Sequence, residues 1–387
     1  MLRSMTSRPT IVSVVGTRPN MMKIAPIAAE LAQLDEFRHV LVHSGQHYDH
    51  EMSGIFIDEL DMEPPMHFLD VGAGTHAQQT ARVMERLEPL LCELRPDLVL
   101  VPGDVNSTLG AALTAAKLGL PVGHVEAGLR SFDRTMPEEL NRILTDQVSS
   151  VLFIHSPEAE KNLLAEGRPH HAIFNVGNTM IDSLVRLSDA IARRPMLNEL
   201  RLRPRRYIVV TFHRPALVES ELFHTALSQL RLLSKYLPVV FPVHPRTQAA
   251  MGATFVDGSD ELVRLLPPLG YLDFLSLVKD AAAVLTDSGG IQEETTYLGI
   301  PCFTLRDSTE RPVTIELGTN VLLGLAPERI ADIPRLIEAR RGKTGSIPPL
   351  WDGRAAVRIA EILRSAFSAG VAASPTNAVR GPTSFPA

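Results

Sequence analysis

At 387 residues the chain exceeds the size at which one hydrophobic core usually stops growing, so about two domains with a cleft between them are expected. Apolar residues at 45% and charged residues at 21% exclude a disordered or membrane-embedded class, and a formal charge of −6 argues against nucleic acid as the main partner. The cysteines, Cys92 and Cys302, lie far apart without CxxC spacing, which gives little support for a disulfide framework or a zinc site and predicts two core fillers. With no apolar run of about eighteen residues and no signal-peptide pattern after the N-terminus, a cytoplasmic protein without membrane contact is expected.

In chain order, apolar runs IVSVVG (11–16), HVLVHSG (39–45), LVLVPGD (98–104), VGHVEAG (122–128) and VLFIHS (151–156) alternate with helical patterns. Continuous apolar runs of this kind predict a parallel sheet covered on both faces by crossover helices. YIVVTFH (207–213), LPVVFPVH (237–244), LVRLLPP (262–268), AAVLTDSG (282–289) and PCFTL (301–305) repeat the pattern. The fold class is therefore α/β with two Rossmann-like domains, over residues 1–185 and 186–354, the composition shifting in the basic, Pro-containing ARRPMLNELRLRPRRY (192–207). The small, polar tail over 368–387 is expected to be disordered.

Ligands of such sheets bind beyond the carboxyl ends of the strands, so the residues ending each run carry the functional information. The first run delivers Gly16-Thr17-Arg18-Pro19 and a helix holding Lys23, with Met21 and Met22 expected in the core. One glycine does not make a G-x-G-x-x-G dinucleotide fingerprint, and Arg18 and Lys23 alone read more readily as solvated surface charges. The third run delivers Gly103-Asp104-Val105-Asn106, where Asp104 or Asn106 also fits a helix N-cap. Glu126 ends the fourth run and Glu138 opens a helix behind Pro137. Three acids among Arg130, Arg134 and Arg142 suit general acid/base work, in which neighbouring cations and burial set carboxyl groups apart.

The second half carries the phosphate signal, LTDSGGIQEETTYLG (285–299): a strand, Asp287-Ser288-Gly289-Gly290, then a helix expected to begin near Ile291. Small residues there let backbone N–H groups approach an anion at a helix N-terminus. His213-Arg214, His244 and Glu310-Arg311 add polar groups at strand ends, although a structural glycine turn and a structural histidine remain open readings.

Together, VVGTRPNMMKIAPI, SGQHYDHEMS, GDVNST, GHVEAGLRSFDRTMPEELNR, VGNTMIDSL, FHR, PVHPRT, LTDSGGIQEE and TERPVTIELGTN, in that order over about residues 10 to 366, resemble the UDP-N-acetylglucosamine 2-epimerase family in its non-hydrolysing form. The resemblance implies a GT-B-type pair of Rossmann-like domains with the active site in the interdomain cleft, and a C-terminal helix over about 355–367 completing the first domain. It implies acid/base roles for Asp104, Glu126 and Glu138 with His213, and support from Arg142. Arg18 and Lys23 would hold substrate, Phe274 would stack on uracil, Ser288, Gly289 and Gly290 would cradle phosphate, and Glu294 would bind ribose beside Arg311. Gln46, Arg214 and His244 match a second substrate site of some members. Asp49 stands where those members have Gln, so hyperbolic kinetics are expected, and Asn20 stands where many have Glu. No cofactor or metal and a homodimeric enzyme acting on a UDP-sugar complete the expectation.

C2 of the sugar has no neighbouring carbonyl, so its hydrogen is not acidic. The family's solution is loss of UDP from C1 with removal of the C2 proton, giving 2-acetamidoglucal, followed by re-addition from the opposite face. Alternatives are a GT-B glycosyltransferase, a metallophosphoesterase suggested by the GD and GN pairs at 103–104 and 177–178, and a non-catalytic UDP binder. A modified UDP-sugar such as a diacetamido uronate, or hydrolytic release of the sugar, stays open within the family.

Overall fold

The computed structural model describes residues 8–45, 57, 59–60, 62–251, 262–340 and 345–368; Gln46, Asp49 and the tail beyond Ser368 lie outside these described residues. The chain divides into two compact units, Met1–Ser183 with Leu350–Ala387, and Leu184–Pro349. Among the described residues no helix is long and apolar enough to cross a membrane.

The first unit is a βα series: β1 (Thr10–Val15), α1 (Arg18–Gln33), β2 (Arg38–His43), β3 (His67–Phe68), α2 (His76–Leu94), β4 (Leu98–Pro102), α3 (Asn106–Lys117), β5 (Val122–Val125), α4 (Pro137–Val148), β6 (Val151–Ile154), α5 (Pro157–Ala165), β7 (Ile173–Asn175) and α6 (Thr179–Arg186). Its strands lie in the order β3-β2-β1-β4-β5-β6-β7, and every pairing is parallel, with Ile11 opposite His39 on one side and Leu98 on the other. The β-branched residues of β1 and β4 are buried on both faces, as crossover helices require. One core joins Val12, Val14, Val40 and Val99 to Leu87 and Leu91 of α2 and Ala111 and Ala115 of α3.

The second unit repeats the plan with β8 (Ile208–Thr211), α7 (Leu222–Ser234), β9 (Val239–Pro242), β10 (Val263–Leu266), α8 (Tyr271–Lys279), β11 (Ala283–Thr286), α9 (Gly289–Leu298), β12 (Cys302–Thr304) and β13 (Asn320–Leu322), in a parallel sheet ordered β10-β9-β8-β11-β12-β13. Phe212, Phe223, Phe241, Leu285 and Phe303 fill its core; full burial of such a side chain is worth about 1.5–3 kcal/mol.

At Leu350 the chain returns to the first unit, and its last helix, α10 (Ala355–Ser368), is tied there. Asp182 of α6 accepts from the first-turn N–H groups of Ala355 (3.1 Å) and Ala356 (2.7 Å), which otherwise have no helical partner. The Trp351 indole donates to the His155 carbonyl at 2.9 Å.

Four differences from the sequence reading are local. β3, β7 and β13 went unseen because two or three half-buried residues at a sheet edge carry no long apolar run. α9 begins at Gly289, two positions earlier than the expected start at Ile291. Val105 occupies the N-cap position of α3, so neither Asp104 nor Asn106 caps it. Cys92 is exposed and is not a core filler, because the buried stripe of α2 runs Val83, Leu87, Leu91 and turns the next residue outward. Cys302 is buried, and burial pushes its thiol up to about 11.

Candidate active site

In the first sheet the chain leaves β1 toward β2 and β4 toward β5, so β1 and β4 flank the point where strand order reverses. Several of the expected site residues gather at the carboxyl ends of β4 and β5. Gly103 follows β4 with φ +66°, and a Cβ there would sit 2.9 Å from the Lys23 ammonium, so this turn takes glycine for both conformation and space. Lys23, buried in α1, forms an ion pair with the buried Glu126 carboxylate just beyond β5. Glu126 itself has φ +71°, a left-handed conformation that a non-glycine residue holds at a cost of about 1–3 kcal/mol and that concentrates at functional sites.

Arg142 connects the acids. Its Nη1 bonds Asp104, while Nε and Nη2 reach Glu139 Oε2 at 3.0 and 2.7 Å. The Glu139 carboxylate also accepts from the Ser131 and Phe132 N–H groups, at 2.9 Å each. Burial pushes the Glu139 carboxyl up, but the Ser131 backbone and the Arg142 guanidinium outweigh it and hold the group below the usual range. Glu138 lies half-buried in the first turn of α4 and takes no part in this network. The sequence presents two adjacent glutamates; the helix assigns one to Arg142. Arg18 is exposed at the start of α1.

Asn20, a departure from the family pattern, ties the switch strands together. Its Oδ1 accepts from the N–H groups of Gly16 (3.3 Å) and Thr17 (3.2 Å), and its Nδ2 donates to the Pro102 carbonyl of β4 at 2.9 Å. A glutamate has no side-chain donor for that last bond.

In the second unit β8 and β11 flank the corresponding reversal. Buried Asp287, at the end of β11, accepts from the N–H groups of His213 and Arg214 at 2.8 Å each, and His213 Nδ1 lies 2.9 Å from its other oxygen. Burial raises the Asp287 carboxyl, but these bonds and the His213 ring more than offset it and hold the group low. The imidazole Nδ1 thus faces the Asp287 carboxylate, while its side chain stays 47% exposed. Ser288 precedes α9, Gly289 and Gly290 form its first turn, and Glu294 is buried further along it. Behind the turn stand four buried charges: Arg311 bonds Glu293 at 2.7 Å and Glu310, and Arg306 bonds Glu310 at 2.7 Å. Burial pushes the Glu310 carboxyl up, but Arg311, Arg306 and Arg214 together hold it well below its ordinary value. Phe274 is half-buried in the first turn of α8, Arg214 is half-buried after β8, and His244 is exposed after β9.

Two open parallel sheets, each with charged groups gathered beyond its switch strands, place the chain among Rossmann-like α/β proteins of the nucleotide-binding type. The chain belongs to the UDP-N-acetylglucosamine 2-epimerase family, whose model of that description matches residues 29–364. A UDP-N-acetylglucosamine 2-epimerase of Methanocaldococcus jannaschii is 38% identical over 90% of this chain and 97% of its own length. A UDP-2,3-diacetamido-2,3-dideoxy-D-glucuronate 2-epimerase of Pseudomonas aeruginosa is also 38% identical, over 91% and 99%. The crystal structure of M. jannaschii UDP-GlcNAc 2-epimerase in complex with UDP-GlcNAc and UDP superposes with a TM-score of 0.84 at 36% identity, covering 92% of this chain and 99% of that one.

Proposed function

We propose that the chain interconverts UDP-N-acetylglucosamine and UDP-N-acetylmannosamine without net hydrolysis, by anti elimination of UDP to 2-acetamidoglucal and re-addition. The observation that carries the reading is the pairing of Glu126 with Lys23 and of Asp104 with Arg142 at the carboxyl ends of neighbouring strands. A carboxylate of this group takes the C2 proton as the C1–O bond breaks and its electron pair leaves with the diphosphate. A proton returned to the opposite face of C2, with a diphosphate oxygen re-forming the bond to C1, inverts C2 and regenerates UDP-sugar. Glu138, next to the fully engaged Glu139, is the further carboxyl group for this exchange. General acid/base help of this kind is worth about 10²–10⁴-fold.

His213 suits the leaving diphosphate, since its Nδ1 lies 2.9 Å from the Asp287 carboxylate and its side chain is 47% exposed. The first-turn N–H groups of α9 at Gly289 and Gly290 suit a phosphate, with Arg18, Phe274, Glu294 and Arg311 as further substrate contacts. The elimination and re-addition involve no net oxidation or reduction, so the route calls for no redox cofactor, and no metal is assigned to it. The proposed setting is a cytoplasmic homodimer supplying precursors of surface polysaccharide.

A second reading, the same inversion on a diacetamido uronate, is favoured by the Pseudomonas aeruginosa relative at equal identity. The test is NMR of the purified protein in D₂O with each UDP-sugar and no added metal or NAD. Deuterium at C2 of the epimer, and then of the substrate pool, is expected; an epimer retaining protium at C2 overturns the elimination route. Turnover of the uronate alone selects the second reading, and turnover of neither rejects both.

A further inference from the structure

We infer that His124 and Asp146 form one buried positioning unit that sets the backbone carrying both Asp104 and Glu126. The inference rests on the acid/base roles proposed for those two carboxylates, and neither His124 nor Asp146 figured in the sequence reading.

His124 lies on β5, and its side chain and that of Asp146 on α4 are fully buried. The imidazole Nδ1 lies 2.6 Å from Asp146 Oδ1, and Nε2 lies 2.7 Å from the Gly103 carbonyl oxygen. An acceptor thus stands at each ring nitrogen. The Gly103 N–H donates to the Val125 carbonyl at 2.9 Å, so this left-handed turn is clamped at its N–H and at its C=O. The held carbonyl belongs to the peptide unit that supplies the Asp104 nitrogen. Since that unit is planar, fixing the carbonyl fixes the direction in which Asp104 departs.

Asp146 acts in the same way on the other turn. Its Oδ2 accepts from the Gly128 N–H at 3.1 Å and from Arg130 Nη2 at 2.7 Å, while the Arg130 guanidinium bonds Glu166 at 2.7 and 2.6 Å. Glu126 lies between the two anchored points, His124 before it and Gly128 after it, and holds its strained φ there. Burial pushes the Asp146 carboxyl up, but His124 and Arg130 outweigh it and keep the group low. Both turns that carry the proposed acid/base carboxylates thus bond to one imidazole–carboxylate pair, beside the bonds from the Glu126 and Ala127 N–H groups to the Phe153 carbonyl at 3.0 Å each and from Asn141 Nδ2 to the Asp104 carbonyl at 2.8 Å.

Two variants separate positioning from packing, because Gln places its amide nitrogen near Nε2 of the ring it replaces and Asn places its amide near Nδ1. His124→Gln keeps a donor for Gly103; His124→Asn keeps only the contact with Asp146. Displacement of reacting groups by about 1 Å is worth about 10²-fold. We therefore expect kcat of His124→Asn to fall about 10²-fold with UDP affinity and KM unchanged, and His124→Gln to retain at least tenfold more of kcat than His124→Asn, on the order of the positioning effect. Equal kcat in the two variants, or losses that follow the melting temperature of each, overturns the positioning role. The crystal structure of His124→Asn provides a readout independent of turnover, and an unmoved Asp104 carboxylate on Arg142 likewise overturns it. Wild-type protein assayed beside them with both UDP-sugars separates the two failures: an inactive wild type rejects the functional reading, and an active wild type with insensitive variants rejects this one.

Discussion

Gly289→Ala is the substitution whose consequence the geometry sets most directly. A Cβ at this position would lie 2.5 Å from Arg311 Nη1 and 2.8 Å from Glu310 Oε1, far inside the roughly 3.5 Å at which carbon contacts become favourable. A guanidinium end is normally free to swing aside, but this one is held by two carboxylates. Arg311 donates to Glu293 at 2.7 Å and to Glu310, and both carboxylates are buried. A retreat of about 1 Å therefore strains both ion pairs, at the cost of about 1–3 kcal/mol typical of overpacking. If one pair breaks, the buried carboxylate left behind costs about 3–5 kcal/mol. For a unit of this size each kcal/mol lowers the melting temperature by about 2–4 °C, so a fall of about 2–12 °C is expected, with more if a pair is lost. Displacement of the first turn of α9 should also weaken UDP binding. Differential scanning calorimetry with and without UDP, and calorimetric titration of UDP, measure both quantities. A variant that melts with the wild type and binds UDP equally well would refute the claim that Arg311 is pinned.

Other consequences follow from the same contacts. Asp104→Asn and Glu126→Gln keep shape while removing the proton-accepting charge, so kcat should fall at least about 10²-fold with UDP affinity retained; near-normal steady-state turnover in both removes them from the mechanism. His213→Ala should instead raise the dissociation constant for UDP, and unchanged affinity and turnover contradict its diphosphate role. Asp182 gives a pH dependence: burial first, and nearby Asp352, raise its carboxyl from 3.8 to about 6 against the pull of the Ala355 and Ala356 N–H groups. A folded value above the unfolded one means that its contribution is complete below about pH 4 and is lost as pH rises through about 6; that difference corresponds to about 3 kcal/mol. Urea unfolding of wild type and Asp182→Asn across pH 4 to 7 should show the wild type losing about that much more stability as pH rises, and parallel curves would exclude the shift.

The sequence by itself determined the repeating strand and helix pattern, because strands buried on both faces are apolar along most of their length. Leu98 to Val101 show this directly, and β1 departs from it only at Thr10 and Ser13. It also marked the turns beyond the strands that hold the candidate site, since Gly103, Pro137 and Gly289 stand where a backbone must turn sharply or a helix must open. Local signals of that kind survive without a fold. Partnership does not: which carboxylate meets which cation depends on residues tens of positions apart meeting across strands. Glu138 and Glu139 are equivalent as letters and both lie within about one helical turn of Arg142; the Ser131 and Phe132 N–H groups that bond Glu139 mark which one is drawn into the buried network. Asn20 reads as a substitution in a family pattern until β4 is placed beside β1, where it becomes the bond between them. His124 shows no signal in an apolar run, because a strand histidine is more often a satisfied core group than a functional one. Its part became visible when tertiary structure set Gly103 on one side of the ring and Asp146 on the other, for an imidazole acts through both nitrogens and the chain alone does not say what each one meets.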